Sequence, residues 1–297
     1  MIESTDESVL VYDVGGSHVS AALCRRAPGP NRMGPFYSSP HPAQETREAF
    51  LDILHSLGKQ AMNAAKNVEG ANLAMPGPFD FAAGISRMRH KLPYLYGVDL
   101  RAALAQVFGW APGQVQFLLD SAAFLWGEME GGEAVGSRRA IGITLGTGLG
   151  SAFAVNGHVV ADGRGVPPGG EIWNIPYEGG ILEDFVSARA IQGSYEKRTG
   201  TLRSVAEIAD SASAEPAARE AFAEFGRHLG LILETILAPF APDVVVLGGG
   251  ISRSSQLFIP AAQDELRNSS IQLRVSKLLY DAPLLGAGAA WFQRRNA

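Results

Sequence analysis

The sequence predicts an α/β fold of two lobes, each built on a mixed sheet flanked by helices, with a catalytic cleft between the lobes. Two observations carry this prediction. Along the 297 residues, short apolar runs typical of strands alternate with stretches of helical periodicity. A strand, a glycine-rich turn and a second strand also occur in the same order in each half, which indicates a weak internal duplication. We place the lobes at residues 1–118 and 119–297, with the last helix as a candidate to pack back on the small first lobe.

The first half begins with a strand at Val9–Tyr12. The strand stops at the turn Asp13–Ser17 and a strand pattern resumes at Val19–Leu23, so these strands form a hairpin and not a strand-to-helix step. Apolar residues at helical spacing predict a helix from Gln44 to Lys66. The other elements predicted for this half are a strand at Ala71–Met75, a helix at Leu100–Phe108 and a strand at Val115–Leu119.

The second half repeats this beginning. A strand at Ala140–Leu145 breaks at a glycine-rich turn. Strands at 151–155 and 158–161 then flank Asn156-Gly157, a dipeptide that favours tight hairpin turns. The later elements predicted for this half are an amphipathic helix at Pro216–Leu237 and a buried strand at Asp243–Leu247.

Composition excludes several classes of function. The net charge of −5 and the lack of a cluster of basic residues argue against a nucleic-acid partner, because phosphate backbones require a basic face. Cys24 is the only cysteine, so the chain can form neither an internal disulfide nor a cysteine-rich zinc site. The acidic start, Met1–Glu7, is unlike a signal peptide, and no apolar run is long enough to span a bilayer. We therefore expect a cytoplasmic protein without a membrane partner.

Glycine is unusually frequent, with 35 residues or about 12% of the chain against about 7% in average proteins. Many of these glycines lie in three turns that follow apolar strands, at Asp13–Ser17, Thr144–Gly150 and Leu247–Ile251. Glycine lets the backbone approach a ligand and present several N–H groups to phosphate oxygens. Asp13 would repel a triphosphate unless a cation lay between them, so it indicates Mg²⁺ held through water. One such turn could merely tighten a hairpin, but three together favour a phosphate site.

Two common nucleotide motifs are excluded. No G-x-x-x-x-G-K-[ST] P-loop occurs, because Gly58-Lys59 is followed by Gln60. The dinucleotide pattern G-x-G-x-x-G needs a strand before it and a helix after it, whereas Gly146–Ser151 lacks the last glycine and leads into a strand. The sequence therefore predicts neither a P-loop nor a Rossmann fold.

The three turns, in this order, resemble the two phosphate loops and the adenosine loop of the actin-like ATPase superfamily, which has a ribonuclease H-like fold. The intervening segments resemble the ROK family of repressors, open reading frames and sugar kinases, from residue 9 to residue 290. The matching segments are Asp13–Ser17, Met75–Asp80, Leu119–Ala123, Thr144–Gly150, Gly170–Ile172, Leu182–Glu183 and Pro242–Gly250.

The resemblance implies a sugar kinase in which Asp120 is the catalytic base that accepts the proton of the attacking hydroxyl. ATP and Mg²⁺ are the implied cofactors, with Asp13 holding the metal through water. The residues implied to bind the nucleotide are Asp13, Gly15, Gly16, Ser17, Thr144, Gly146, Thr147, Gly148, Gly248, Gly249 and Gly250. The residues implied to bind the sugar are Pro76, Gly77, Asp120, Glu171, Asn174 and Glu183.

These acidic residues also have simpler interpretations. Asp120 could cap a helix, since Ser121 begins a helical pattern, and a cap can also be a catalytic base. Glu171 and Glu183 could be solvated loop acids. The resemblance favours the chemical roles, because ionised carboxylates accept the bidentate hydrogen bonds that polyol recognition needs.

The chain departs from the family pattern around the implied sugar pocket. The resemblance implies a zinc site of one His and three Cys, but Asn174 stands in place of the His and Ile181 in place of the last Cys. All four ligands are absent, so no zinc is expected, as in the zinc-less loops of some glucokinases of the family. Leu119 replaces the Asn that usually precedes the catalytic Asp, and Lys91 stands near another usual Asn, which leaves the sugar preference open.

The main hypothesis is ATP-dependent, glucokinase-like transfer of the γ-phosphoryl group to the 6-hydroxyl of a hexose. The alternatives among enzymes are a kinase for mannose, fructose or an N-acetylhexosamine, and a glucokinase that uses polyphosphate. From another class, the chain could be a catalytically weak sugar-binding regulator, although a pure binder has no need of Asp120. The family's repressors carry DNA-binding helices before the first phosphate loop, which begins here at residue 13, so a repressor is not expected. The resemblance also implies a homodimer.

Overall fold

The computed structural model describes residues 7–27, 32–42, 44–63, 65, 67–266 and 271–294. Contacts between residues divide the chain into two compact units, one of residues 1–130 with 280–297 and the other of residues 131–279. The division predicted at 118/119 differs from this one by the helix that begins at Asp120. The last helix belongs to the first unit. Met1–Asp6 of the acidic start lie outside the described residues.

Two five-stranded mixed sheets, one in each unit, form the framework of the chain, and this confirms the predicted α/β class. The strands are β1 (Ser8–Val14), β2 (His18–Arg25), β3 (Tyr37–Pro40), β4 (Val68–Met75), β5 (Phe79–Asp80), β6 (Ile85–Ser86), β7 (Val115–Leu119), β8 (Arg139–Leu145), β9 (Leu149–Val155), β10 (His158–Val160), β11 (Pro176–Tyr177), β12 (Gly180–Ile181), β13 (Val244–Gly248) and β14 (Gln272–Val275). The α-helices are α1 (Arg47–Met62), α2 (Leu100–Phe108), α3 (Asp120–Gly131), α4 (Leu182–Phe185), α5 (Ala188–Thr199), α6 (Val205–Ser211), α7 (Pro216–Ile232), α8 (Ile259–Glu265) and α9 (Asp281–Arg294). Over the described parts of the chain, no helix is both long and apolar enough to cross a membrane.

The two sheets share one topology. The strand order is β3-β2-β1-β4-β7 in the first unit and β10-β9-β8-β13-β14 in the second. In the first unit β1 and β3 pair antiparallel with β2, whereas β1, β4 and β7 are parallel. In the second unit β8 and β10 pair antiparallel with β9, whereas β8, β13 and β14 are parallel. The internal duplication predicted from the order of elements is therefore present as a repeated sheet topology.

The sheet of the first unit is buried on both faces. Successive side chains of a strand point to opposite faces. Leu10 of β1 belongs to one apolar cluster with Phe50 of α1, and Val11 belongs to another with Ala287 of α9. A strand covered on both faces has apolar residues at consecutive positions, which explains why β1 lacks the alternating pattern of a half-exposed strand.

The core of the second unit is built around α7. The apolar stripe of this helix, with Phe222, Phe225 and Leu229, packs in one cluster with Phe153 of β9 and Leu247 of β13. The helix predicted for this segment is thus confirmed, because the stripe recurs at the spacing of a helix turn.

Several predicted boundaries differ from the observed ones by a few residues. The helix predicted from Gln44 to Lys66 is α1, which starts later because the Thr46 side chain accepts a hydrogen bond from Ala49 N at 3.2 Å and caps it. Lys66 lies outside the described residues. The helix predicted to reach Leu237 is α-helical only as far as Ile232 and continues as a π-helical turn. Its path ends in a 3₁₀ turn that contains Pro239, since proline cannot continue a helix.

Helices α3 and α9 pack at glycine contacts in the first unit. A Cβ atom at Gly286 of α9 would lie 1.8 Å from the carbonyl oxygen of Ala123, and one at Gly127 of α3 would lie 2.0 Å from the carbonyl oxygen of Ala282. No side chain fits in either place, so the two helix backbones are in direct contact. This contact fixes the start of α3, and therefore Asp120, relative to α9 and the sheet beneath it.

We predict that Gly286→Ala destabilises the protein by about 1–3 kcal/mol, the usual cost of overpacking a core. Gly193→Ala in α5 is the matched control, because a Cβ atom there meets nothing within 4 Å. That change should be neutral or stabilise by up to about 1 kcal/mol, since alanine favours helices over glycine. Urea unfolding followed by circular dichroism measures both, and equal midpoints for the two variants would contradict the close helix contact.

Candidate functional site

Three of the predicted site segments meet at one edge of the sheet in the first unit. Parallel strands end at the same edge, and β1, β4 and β7 are parallel neighbours. Asp13 is near the end of β1, Pro76-Gly77 directly follows β4, and Asp120 directly follows β7. The register agrees, because Asp13 is opposite Ala74 of β4, which is opposite Leu118 of β7. In parallel α/β sheets, this carboxyl edge is where ligands bind.

Asp13 and Asp120 interact electrostatically at this edge. Both carboxylates are partly buried. Asp13 points to the face of the sheet that also carries Val11, and α3, which begins with Asp120, covers that face. Burial, and next the negative charge of Asp120, raise the pKa of Asp13 from 3.8 to about 7. A proton or a cation close to Asp13 would therefore be favourable.

Asp120 lies at the start of a helix, where its sequence context predicted a cap. It is the first residue of α3, and its Oδ1 accepts a hydrogen bond from Ser121 N at 2.7 Å. The other carboxylate oxygen is not used by this contact. Both interpretations of Asp120, as the start of a helix and as a reactive carboxylate, are therefore compatible with its geometry.

The first glycine turn connects β1 to β2 and is exposed at Gly16 and Ser17. Gly15 N donates to the carbonyl oxygen of His18 at 2.9 Å, which closes the turn. Ser17 Oγ lies 2.8 Å from Nδ1 of His18. His41, which follows β3, also contacts this turn: its Nε2 lies 2.9 Å from the carbonyl oxygen of Gly15. No sequence pattern predicted that contact, because β3 is short and was not itself predicted.

The two glycine turns of the second unit lie side by side. Thr144 of β8 is opposite Gly248 of β13, so the turns that follow these strands begin at the same level of the sheet. Gly249 has a φ of +84°, and a Cβ atom there would lie 2.3 Å from the carbonyl oxygen of Leu145. Glycine is thus required at Gly249 both by its backbone conformation and by the close approach of the neighbouring turn.

Glu183 is attached to the first of these turns. Its Oε2 accepts a hydrogen bond from Leu149 N at 3.0 Å, and a Cβ atom at Gly148 would lie 2.6 Å from the same oxygen. Arg189 Nη2 lies 3.3 Å from Oε1. The carboxylate that the sequence assigned to the sugar is therefore also a structural contact of the turn assigned to phosphate.

The segment of Glu171 and Asn174 lies next to Glu183. Glu183 N donates to the carbonyl oxygen of Trp173 at 3.1 Å, which joins the two segments. Ser151 Oγ holds the start of this segment, since it accepts from Ile172 N at 3.1 Å. Glu171 is partly buried and Asn174 is exposed. The structure thus brings Glu171, Asn174 and Glu183 together in the second unit.

Aromatic packing holds the hairpin β11–β12 between these segments. Ile181, where the resemblance expects the last cysteine, pairs with Pro176 across the hairpin. The rings of Tyr177 and Phe185 lie edge to face with centroids 5.0 Å apart, and Tyr177 Oη lies 3.0 Å from Nδ1 of His228. Burial, and next the charge of Glu178, raise the pKa of Tyr177 to about 12.

Two further residues mark departures from the family pattern. Leu119, the last residue of β7, is partly buried and pairs with Met75 of β4, so an apolar side chain stands directly before Asp120. Lys91 is exposed. Within the described ranges, no group of three or more His, Cys, Asp or Glu side chains is arranged to hold a metal ion.

We predict that Asp120→Asn lowers the pKa of Asp13 below about 7, because it removes the neighbouring negative charge. Burial keeps the value above the ordinary 3.8. Since the pKa is raised in the folded state, the stability that Asp13 contributes is full below pH 3.8 and is lost as the pH rises through about 7. Carboxyl ¹³C NMR titration measures both values. A wild-type Asp13 that titrates near 3.8, or a pKa that Asp120→Asn does not change, would contradict the interaction.

Comparison with known proteins finds relatives among the sugar kinases. The Thermotoga maritima glucokinase is 27% identical over 272 residues, which cover 80% of this chain and 84% of the relative. The crystal structure of a ROK hexokinase from Thermus thermophilus matches with a TM-score of 0.80 at 24% identity, over 98% of this chain and 100% of the other. A ROK family glucokinase from Streptomyces griseus, in complex with glucose and AMPPNP, matches with a TM-score of 0.78 at 21% identity, over 95% of this chain and 98% of the other.

These structural likenesses show that the fold is that of the ROK proteins. The model of the ROK family matches residues 10–295, which is nearly the whole chain. The match covers both glycine turns of the second unit as well as the Asp13 and Asp120 edge of the first. The chain belongs to the ROK family.

Proposed function

We propose that the protein is an ATP-dependent hexose kinase, most similar in activity to a glucokinase, which transfers the γ-phosphoryl group to a sugar 6-hydroxyl. The observation that carries this proposal is the pairing of Asp13 and Asp120 at the carboxyl edge of parallel strands in a chain of the ROK family. Relatives named as glucokinase and hexokinase support the sugar-kinase class.

Asp120 is the proposed catalytic base. Its carboxylate adjoins a sheet edge where ligands bind, and its Oδ1 accepts a hydrogen bond from Ser121 N at the start of α3. In the proposed reaction it accepts the proton of the attacking hydroxyl as the new O–P bond forms and the bond to ADP breaks. A base of this kind contributes about 10²–10⁴ in rate.

The carboxylate pair is suited to a divalent cation. Mg²⁺ prefers oxygen ligands and usually binds one or two carboxylates together with waters and phosphate oxygens. Burial first, and then the charge of Asp120, raise the pKa of Asp13, which supports a role for a nearby positive charge. Asp13 is thus the residue that would hold Mg²⁺ through water. When bound, the ion would neutralise charge on the phosphates.

The three glycine turns are the proposed sites of the nucleotide. Gly16 and Ser17 of the first turn are exposed residues, and their N–H groups are the proposed donors to phosphate oxygens. In the second unit the phosphates would bind to the backbone of Gly146–Gly148 and to the hydroxyls of Thr144 and Thr147. Gly248–Gly250 would lie against the adenosine. AMPPNP in the related Streptomyces griseus structure supports ATP as the donor.

The family resemblance assigns the proposed sugar contacts, which are the acidic segments in the second unit and Pro76-Gly77 in the first. Glu171 and Glu183 carry carboxylate oxygens that accept hydrogen bonds from hydroxyls, and Asn174 can both donate and accept. Leu119 offers no hydrogen bond to a hydroxyl, so the pocket differs there from the family pattern. This difference leaves mannose, fructose and N-acetylhexosamines as alternative acceptors.

Other readings are distinguishable by simple measurements. Polyphosphate could replace ATP as the donor, and a sugar-binding regulator would bind a hexose without turnover. Asp13 and Asp120 favour an enzyme over a regulator, because a protein that only binds sugar has no use for a base beside a cation site. A homodimer, a cytoplasmic location and the lack of a nucleic-acid partner stay predictions of the sequence.

Asp120→Asn should reduce kcat by about 10²–10⁴, because the base is lost while the helix start is kept. The affinity for the sugar should fall far less than kcat, since asparagine retains a hydrogen-bonding oxygen but cannot accept the proton. Coupled measurement of ADP release gives kcat, and calorimetry gives the sugar affinity. The exposed Asp162→Asn is the matched control and should keep full activity. Retention of wild-type kcat in Asp120→Asn would contradict the role of the base.

Glu171→Gln and Glu183→Gln should have different kinetic effects. Glu171→Gln should raise the KM for the sugar by about 10- to 100-fold and leave the KM for ATP unchanged, because hydrogen bonds to charged groups contribute about 1.5–3 kcal/mol. Glu183→Gln should raise both KM values, since Glu183 also bonds the Gly146–Gly150 turn through Leu149 N.

Glu196→Gln, an exposed change in α5, serves as the control for both variants. The measurement is initial-rate kinetics with each substrate varied in turn. If Glu183→Gln altered the KM for the sugar and left the KM for ATP unchanged, the proposed effect of Glu183 on the phosphate turn would be contradicted.

A further inference from the structure

His41 joins the first glycine turn to the end of β3 by two hydrogen bonds. Its ring Nε2 lies 2.9 Å from the carbonyl oxygen of Gly15, and its backbone N donates to the carbonyl oxygen of Ser17 at 3.0 Å. The ring also stacks on Phe50 of α1, with centroids 6.1 Å apart and an angle of 27° between the planes. The turn is thus held from one side by a single residue that is itself fixed against a helix.

The hydrogen-bond partner of Nε2 determines which nitrogen of the His41 ring carries the hydrogen. A carbonyl oxygen can only accept, so Nε2 must carry the hydrogen and donate it. The other nitrogen, Nδ1, is buried and has no hydrogen-bond partner among the described residues. The Nε2–H tautomer is therefore the one that fits this contact.

These bonds decide which polar groups of the turn remain available. The carbonyl oxygens of Gly15 and Ser17 are both bonded to His41, and Gly15 N is bonded to His18. Among the described residues, the N–H groups of Gly16 and Ser17 donate to no backbone carbonyl. With the carbonyl oxygens of Gly15 and Ser17 held by His41, these two N–H groups can donate to an anion.

We propose that His41 is a positioning residue for the phosphate donor: its ring holds the Gly15 carbonyl so that the N–H groups of Gly16 and Ser17 face the phosphate oxygens. This inference rests on the proposed function for the identity of the ligand. The hydrogen bond from His41 to the turn does not depend on that function. His41 touches neither donor nor acceptor in this proposal, and it acts only through the turn.

Two substitutions separate the hydrogen bond from the packing of the ring. His41→Phe keeps an aromatic ring to stack on Phe50 and removes the donor. His41→Gln removes the ring and places an amide N–H near the position of Nε2. A residue that merely fills space would tolerate Phe better than Gln, whereas a residue that holds the Gly15 carbonyl would tolerate Gln better.

Hydrogen exchange of the free protein tests the hold on the turn without any ligand. In His41→Phe, the amides of residues 14–18 should exchange about three- to tenfold faster than in the wild type, the effect of losing one hydrogen bond. His41→Gln should stay close to the wild type, and the midpoint of thermal unfolding should be similar in all three proteins. Unchanged exchange in His41→Phe would overturn the proposal, whatever the protein phosphorylates.

Calorimetry with AMPPNP and Mg²⁺ tests the consequence for the donor. His41→Phe should bind AMPPNP about three- to tenfold more weakly, with an unchanged affinity for the sugar, and His41→Gln should bind it nearly as the wild type does. Equal affinities in all three proteins would overturn the positioning role. If the wild type binds no AMPPNP, the proposed donor is wrong, and the exchange experiment alone decides whether His41 holds the turn.

Discussion

The candidate site depends on two partly buried carboxylates that repel each other at one edge of a sheet. Asp13 and Asp120 meet there because β1, β4 and β7 run parallel and end at the same level. Burial and the charge of Asp120 raise the pKa of Asp13 to about 7, so a cation or a proton close to Asp13 is favourable. The glycine contact of α3 with α9 fixes the helix that Asp120 begins.

The second unit repeats the sheet but uses its turns differently. In the first unit the carboxylate Asp13 lies near the end of β1, just before the turn. In the second unit the turn after β8 has no charged residue, and a carboxylate of α4, Glu183, contacts it. Glu183 bonds Leu149 N, and Gly148 leaves the room that this carboxylate needs. One topology therefore supplies an acidic edge in one unit and, in the other, a glycine-rich edge supported by an acid from elsewhere in the chain.

Local patterns were enough to predict the α/β class, the strands β1, β4, β7, β8 and β13, and the three glycine turns, because each depends on residues that are adjacent in sequence. The contacts of the site depend on residues that are distant in sequence. His41 reaches Gly15 through β3, a strand of four residues without a clear apolar pattern. The packing of Tyr177 with His228 joins segments 51 residues apart. Sequence spacing predicts neither contact, since both follow from the sheet order and the path of loops.

The most direct test of the account is the stoichiometry of the reaction with Mg-ATP and a panel of hexoses, measured by ³¹P NMR and mass spectrometry. The account predicts that one class of hexose gains a single phosphoryl group at its 6-hydroxyl, with one ADP formed for each sugar phosphate and little ADP formed without sugar. ADP release that does not depend on sugar, or no sugar phosphate from either ATP or polyphosphate, would contradict the proposed kinase.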